Sequence, residues 1–186
     1  SDGRIVAAFP NGEVHMVMDG APIWLASTAR SDFKSVNAMS DIVANPVIEG
    51  GVAIVKNYGG RTVAFDLKEG RELWTRPSGG MATPTASGGF LFDVDSNDAA
   101  SASDVKTGKT IWSTKLEPEK GALAFAPLLV NNQLLVAFSS GELMKLDPYT
   151  GKLTSSDDIA PQIDMPPIVA GDALVVISNG NLEIFR

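Results

Sequence analysis

Apolar residues along this chain come in short runs bounded by turn-forming residues, which is the pattern of β-strands. The runs read RIVAAF (4–9), VAIV (52–55), FLFDV (90–94), LLVAF (134–138) and ALVVI (173–177). Most lead into a Gly, Asn or Ser cluster: Pro10-Asn11-Gly12, Asn57-Tyr58-Gly59-Gly60, Ser139-Ser140-Gly141 and Ser178-Asn179-Gly180. Such clusters supply the backbone conformations that reverse a chain. Beyond the turn comes a second strand, such as Thr62-Val63-Ala64-Phe65 with its period-two alternation. The runs themselves are continuous, as expected of strands covered on both faces.

The pattern repeats. Phe65 to Trp74 reads FDLKEGRELW, and Ser103 to Trp112 reads SDVKTGKTIW. Both follow D-x-x-x-G-x-x-(L/I)-W. Asp147-Pro148-Tyr149-Thr150-Gly151 is a further copy of its first half. Gly20-Ala21-Pro22-Ile23-Trp24 keeps the second half, with Met16 at the aspartate position. A proline followed four residues later by Gly or Asn is an independent marker. It occurs at Pro46, Pro84, Pro127 and Pro167, in steps of 38, 43 and 40 residues. Four short strands in a period of about 40 residues form the unit of a β-propeller blade. In the hairpin, the aspartate carboxylate accepts backbone N–H bonds and the glycine supplies a positive φ. The tryptophan falls on the outermost strand, where it covers apolar surface between neighbouring blades.

The fold class expected is therefore all-β: a partial propeller of four-stranded antiparallel blades with about 18 strands, four to five blades in all. Residues 1–41 make an incomplete blade plus a long loop. Blades follow at 42–81, 82–122 and 123–164, and residues 165–186 make an incomplete C-terminal blade. An open ring exposes apolar faces and unpaired strand edges. Further blades N-terminal to Ser1, or a second copy of the chain, are the expected covers.

Composition narrows the chemistry. The net charge is −7, so the chain has no basic stripe to neutralise nucleic-acid phosphate or to hold an anionic membrane surface. It has no cysteine, hence no disulfide framework, thiolate nucleophile or zinc ribbon. His15 is the only histidine, and no nucleophile elbow accompanies it. Asp93, Asp95 and Asn97, with Asp104 at position twelve, have the spacing of an EF-hand loop. Asp98 stands where that loop needs glycine, and the repeat already accounts for Asp104, so a turn is the simpler reading. Asp66, Asp104 and Asp147 are separated by the repeat period and act as turn caps rather than as a carboxylate cluster. The common repeat position of Trp24, Trp74 and Trp112 assigns them to packing. No catalytic residue, cofactor or metal ligand is assigned.

The D-x-x-T-G-K-x-(L/I)-W hairpin resembles the PQQ-type propeller repeat. More narrowly, nearly the whole chain resembles the C-terminal half of the BamB family, lipoproteins of the outer-membrane β-barrel assembly machinery. The stretches that carry this are Asp2 to Trp24, Met39 to Trp74, and the ending PPIVAGDALVVISNGNLEIFR. The resemblance implies an eight-bladed, non-enzymatic scaffold. Its place is the periplasmic face of the outer membrane, where a lipid anchors the full-length protein. It also implies binding to the central barrel-assembly subunit, with unfolded outer-membrane proteins as further partners. The family's acidic docking segment matches Met39, Ser40, Asp41 and Ile42. Its second acidic position is Val43 here. This segment closes the longest insertion, Leu25 to Ser40, and long loops are where binding concentrates. Two other readings stay open: a fragment of a quinoprotein dehydrogenase using pyrroloquinoline quinone and calcium, and a ligand-binding sensor propeller.

Overall fold

The computed structural model describes residues 3–28, 42, 44–171 and 173–185. Among these residues all helical or strand structure is β, in eighteen strands that form five antiparallel sheets. The first sheet contains β1 (Arg4–Ala8), β2 (Glu13–Met18) and β3 (Ala21–Ser27). The second contains β4 (Val47–Glu49), β5 (Val52–Lys56), β6 (Thr62–Asp66) and β7 (Glu72–Arg76). The third contains β8 (Thr85–Ser87), β9 (Phe90–Val94), β10 (Ala99–Asp104) and β11 (Thr110–Lys115). The fourth contains β12 (Leu128–Val130), β13 (Gln133–Ala137), β14 (Glu142–Leu146) and β15 (Leu153–Asp158). The fifth contains β16 (Ile168–Ala170), β17 (Ala173–Ser178) and β18 (Asn181–Phe185). Strands pair in chain order, so each sheet is a meander. Each marker proline directly precedes the short leading strand of its sheet, where its missing N–H costs no ladder bond.

Strand alternation explains why the apolar runs are unbroken. On β5, Val52 and Ile54 point to one face, and Val55 points to the other. On β6, Val63 and Phe65 join Val55, while Ala64 joins Ile54. The first group packs on Val14, Met16 and Trp24 of the first sheet; the second packs on Leu91 and Val105 of the third. The same division recurs on β13. Leu134 and Val136 meet Phe92 and Val94 of the third sheet, and Leu135 and Ala137 meet Leu174 and Val176 of the fifth. Four apolar cores thus lie between five sheets, the arrangement of consecutive propeller blades.

The repeated hairpin holds neighbouring sheets in register. Trp24 Nε1 donates to the carbonyl of Leu67 at 3.0 Å, Trp74 Nε1 to Val105 at 2.9 Å, and Trp112 Nε1 to Pro148 at 2.8 Å. Each acceptor is the residue after the hairpin aspartate of the next sheet. The indole also lies flat against the hairpin glycine. A Cβ on Gly70 would come within 2.6 Å of the Trp24 ring, and one on Gly108 within 2.6 Å of the Trp74 ring; Gly151 stands in the same relation to Trp112. These glycines have φ of +70°, +69° and +70°, so hairpin geometry and neighbour contact both demand glycine.

The aspartates cap their own turns. Asp66 Oδ1 accepts from the N–H groups of Lys68 and Glu69 at 2.9 and 2.8 Å. Asp104 and Asp147 accept from the backbone of Thr107 and Thr150 at 2.8 and 2.7 Å, and also from those threonine hydroxyls. The threonine bonds, hydroxyl first, hold both carboxyls below the ordinary value of 3.8.

The outer faces of the terminal sheets are apolar and exposed. On the first sheet Ile5 and Leu25 are 63% and 65% exposed. On the fifth, Ile168, Leu182 and Ile184 share the face opposite the Leu174 and Val176 core and are 59–63% exposed.

Two predictions follow from the hairpin. Gly108→Ala loses about 1–3 kcal/mol more than Gly20→Ala, whose Cβ meets nothing within 4 Å, because only Gly108 must also displace an indole; urea unfolding of the two variants measures the difference. The depressed carboxyls of Asp104 and Asp147 contribute stability that is present above the unfolded value of 3.8 and lost as pH falls through their folded values. The Thr107→Val/Thr150→Val variant is therefore less stable than wild type at pH 6, and the gap narrows steadily on acidification toward pH 2, as followed by thermal melts.

Candidate functional site

Of the predicted docking segment, Met39, Ser40 and Asp41 lie outside the described residues, as does Val43. Ile42 is described. It makes an isolated bridge with Asn57, is 7% exposed, and packs into the core between the first two sheets. Ile42 therefore fixes the end of that segment beside the turn after β5. The connection from β3 to β4, which carries the segment, is the longest between sheets.

The Asn57 turn is also one wall of a cavity of about 500 Å³. The walls come from the turns after β5 and β9 and from the connections that lead into β8, β12 and β16. Tyr58, Met81, Leu123 and Phe125 supply apolar surface; Asp95 and Asp98 are the charged groups among the described lining residues. The wall around Met81 is held rigidly. Gly80 N donates to Asn57 O at 3.3 Å, Ser96 N to Gly79 O at 2.9 Å, and Asn45 N to Thr83 Oγ1 at 3.1 Å. Gly79 lies against the backbone of Gly60 with no room for a side chain.

Behind this wall lies an ion pair. Lys56 at the end of β5 is 0% exposed, and Asp93 on β9 is 2% exposed. Lys56 Nζ donates to Asp93 Oδ1 at 2.6 Å, to Val94 O at 2.7 Å and to Ala82 O at 3.3 Å. Three protons meet three acceptors, and Ser78 Oγ donates to the second carboxylate oxygen at 3.2 Å. Full hydrogen bonding is the condition under which a buried pair is tolerated. The sequence reading missed this pair. Its signal was present: Lys56 and Asp93 are charged residues attached to or within apolar runs whose neighbours are buried on both faces.

The other candidates resolve individually. Asp93 belongs to a strand and faces Lys56, not a turn. Asp95 Oδ1 accepts from the N–H groups of Asn97 and Ala99 at 2.8 and 2.9 Å, which makes it a turn cap. No group of three or more His, Cys, Asp or Glu side chains converges among the described residues. The His15 side chain is 28% exposed, lies 4.7 Å from the Phe9 ring, and has Nε2 3.3 Å from Glu13 Oε2. Trp24, Trp74 and Trp112 are the inter-sheet clasps. Asp66, Asp104 and Asp147 stay on three separate sheets.

Comparison with known proteins bears on the whole chain. The family model described as "Outer membrane protein assembly factor BamB" matches residues 1–114 and 82–185. The chain is 31% identical to the outer membrane protein assembly factor BamB of Alkalilimnicola ehrlichii, over 98% of this chain and 49% of that protein. It spans about half the length of the curated relatives it matches. Its structure superposes on the crystal structure of BamB from Moraxella catarrhalis with a TM-score of 0.76 at 16% identity, covering 98% of this chain and 53% of that one. A europium-containing methanol dehydrogenase shares the fold, with a TM-score of 0.68 at 14% identity over 86% of this chain and 40% of that one.

The buried pair makes a quantitative prediction. Asp93→Asn leaves the Lys56 charge uncompensated and costs about 3–5 kcal/mol of stability, whereas Lys56→Met/Asp93→Leu recovers more than half of that loss. Urea denaturation of both variants provides the check.

Proposed function

The chain belongs to the family of the outer membrane protein assembly factor BamB, and from that premise we propose that it serves as a non-enzymatic scaffold in outer-membrane protein assembly. It docks onto the central barrel-assembly subunit at the periplasmic face of the outer membrane, in a protein held there by a lipid. Unfolded outer-membrane proteins are its further clients. The observation that carries this reading is the family match along nearly the full chain. The architecture supports it: clasped blades present turns and inter-sheet connections at their ends.

The docking segment is Met39, Ser40, Asp41 and Ile42, with Asp41 as its acidic contact and Ile42 as its anchor on the core. The two apolar terminal faces fit coverage by further blades of a closed ring, in keeping with the share of its relatives' length that the chain spans. A quinoprotein dehydrogenase reading finds less support. Pyrroloquinoline quinone carries carboxylates, but the described charged residues of the cavity are aspartates, and the nearby Lys56 has spent all three of its protons.

Capture of the protein by the immobilised central subunit tests the docking segment. Asp41→Arg is expected to reduce capture at least tenfold with no change in melting temperature. Undiminished capture by that variant removes the segment from the interface.

A further inference from the structure

The cavity between the second, third and fourth sheets lies beside the turn that Ile42 bridges, and its lining combines apolar surface with acidic groups. Its rim exposes three large apolar side chains: Tyr58 at 49%, Met81 at 57% and Leu123 at 58%. Side chains of this size in water at one mouth are the mark of an interaction surface. Its volume of about 500 Å³ is in the range that seats a large side chain with its neighbours.

The charged side chains that line the mouth are acidic, with Lys115 alongside Asp98. Asp95 and Asp98 line it, and no basic residue does among the described residues. Asp95 uses Oδ1 to cap its turn. Asp98 is 3.7 Å from Lys115 Nζ, an exposed pair in which water screens the attraction. Beneath the floor, Lys56 is neutralised by Asp93 and bonded to the carbonyls of Ala82 and Val94, both of which belong to lining residues. The ion pair thus fixes the wall while presenting no positive charge to an occupant. A wall fixed in advance spares the occupant an ordering cost.

We propose that this cavity is a docking site for an extended polypeptide segment bearing an aromatic or long aliphatic side chain next to a lysine or arginine. The apolar side chain enters between Tyr58, Met81 and Leu123, as an anchor does at the centre of an interface. The neighbouring cation meets Asp95 and Asp98 at the mouth. A polypeptide fits better than a small cation because the exposed apolar rim extends the contact beyond the cavity. This inference is independent of the Met39–Ile42 assignment.

Fluorescence anisotropy with labelled twelve-residue peptides provides the test. One peptide carries a central tryptophan flanked by lysines; its control carries glutamates in place of the lysines. The lysine peptide is expected to bind at least tenfold more tightly than the control, with affinity falling as salt rises. Leu123→Lys weakens that binding at least tenfold, Met81→Ser at least threefold and Asp98→Asn about twofold to fivefold. Equal binding of the two peptides, or unaltered affinity in both Leu123→Lys and Met81→Ser, overturns the proposal. Equally tight binding of free tryptophan amide also overturns it, in favour of a small-molecule pocket.

Discussion

The contact on which the molecule depends is an indole laid across a glycine of the next sheet. Each of the three clasps satisfies several demands at once. The ring buries apolar area, its N–H meets a carbonyl that would otherwise be orphaned at a hairpin, and the glycine lets the two backbones approach. A sheet with two apolar faces has no intrinsic register against its neighbours, because apolar attraction is non-directional. The indole hydrogen bond supplies the direction. It makes a stack of greasy sheets into a series with one repeat geometry.

That regularity gives the loops their value. Turns and inter-sheet connections leave the rigid blades at fixed positions, so residues distant in sequence form a single surface. Tyr58, Met81 and Leu123 come from three different connections and line one cavity. The Lys56–Asp93 pair extends the same logic into the interior. Burying two charges gives little net stability, but their three-way hydrogen bonding joins β5, β9 and the connection into β8 at one point. Where the apolar cores hold sheets together, this polar point holds a loop in place.

The proposed scaffold role calls for this combination. Its work is to present surfaces in constant relative positions, which rewards stiff blades and decorated loops rather than convergent reactive groups. The family to which the chain belongs is named for assembly, and the described residues include an acidic, apolar-rimmed cavity.

The strands, the repeat and the role of its conspicuous letters are legible in the amino-acid order alone. Hairpin aspartates, positive-φ glycines and strand-leading prolines act within a few residues of themselves, so local rules suffice to read them. The alternating burial of runs such as Val52 to Val55 was also legible, since period two leaves only two faces to fill. Which distant residues meet became readable only once the sheets were docked. Gly108 answers to Trp74 as well as to its own turn, Asp93 belongs to Lys56 rather than to a calcium loop, and Met81 and Leu123 line one cavity. Those pairings are set by how neighbouring sheets dock, a geometry that no single repeat contains.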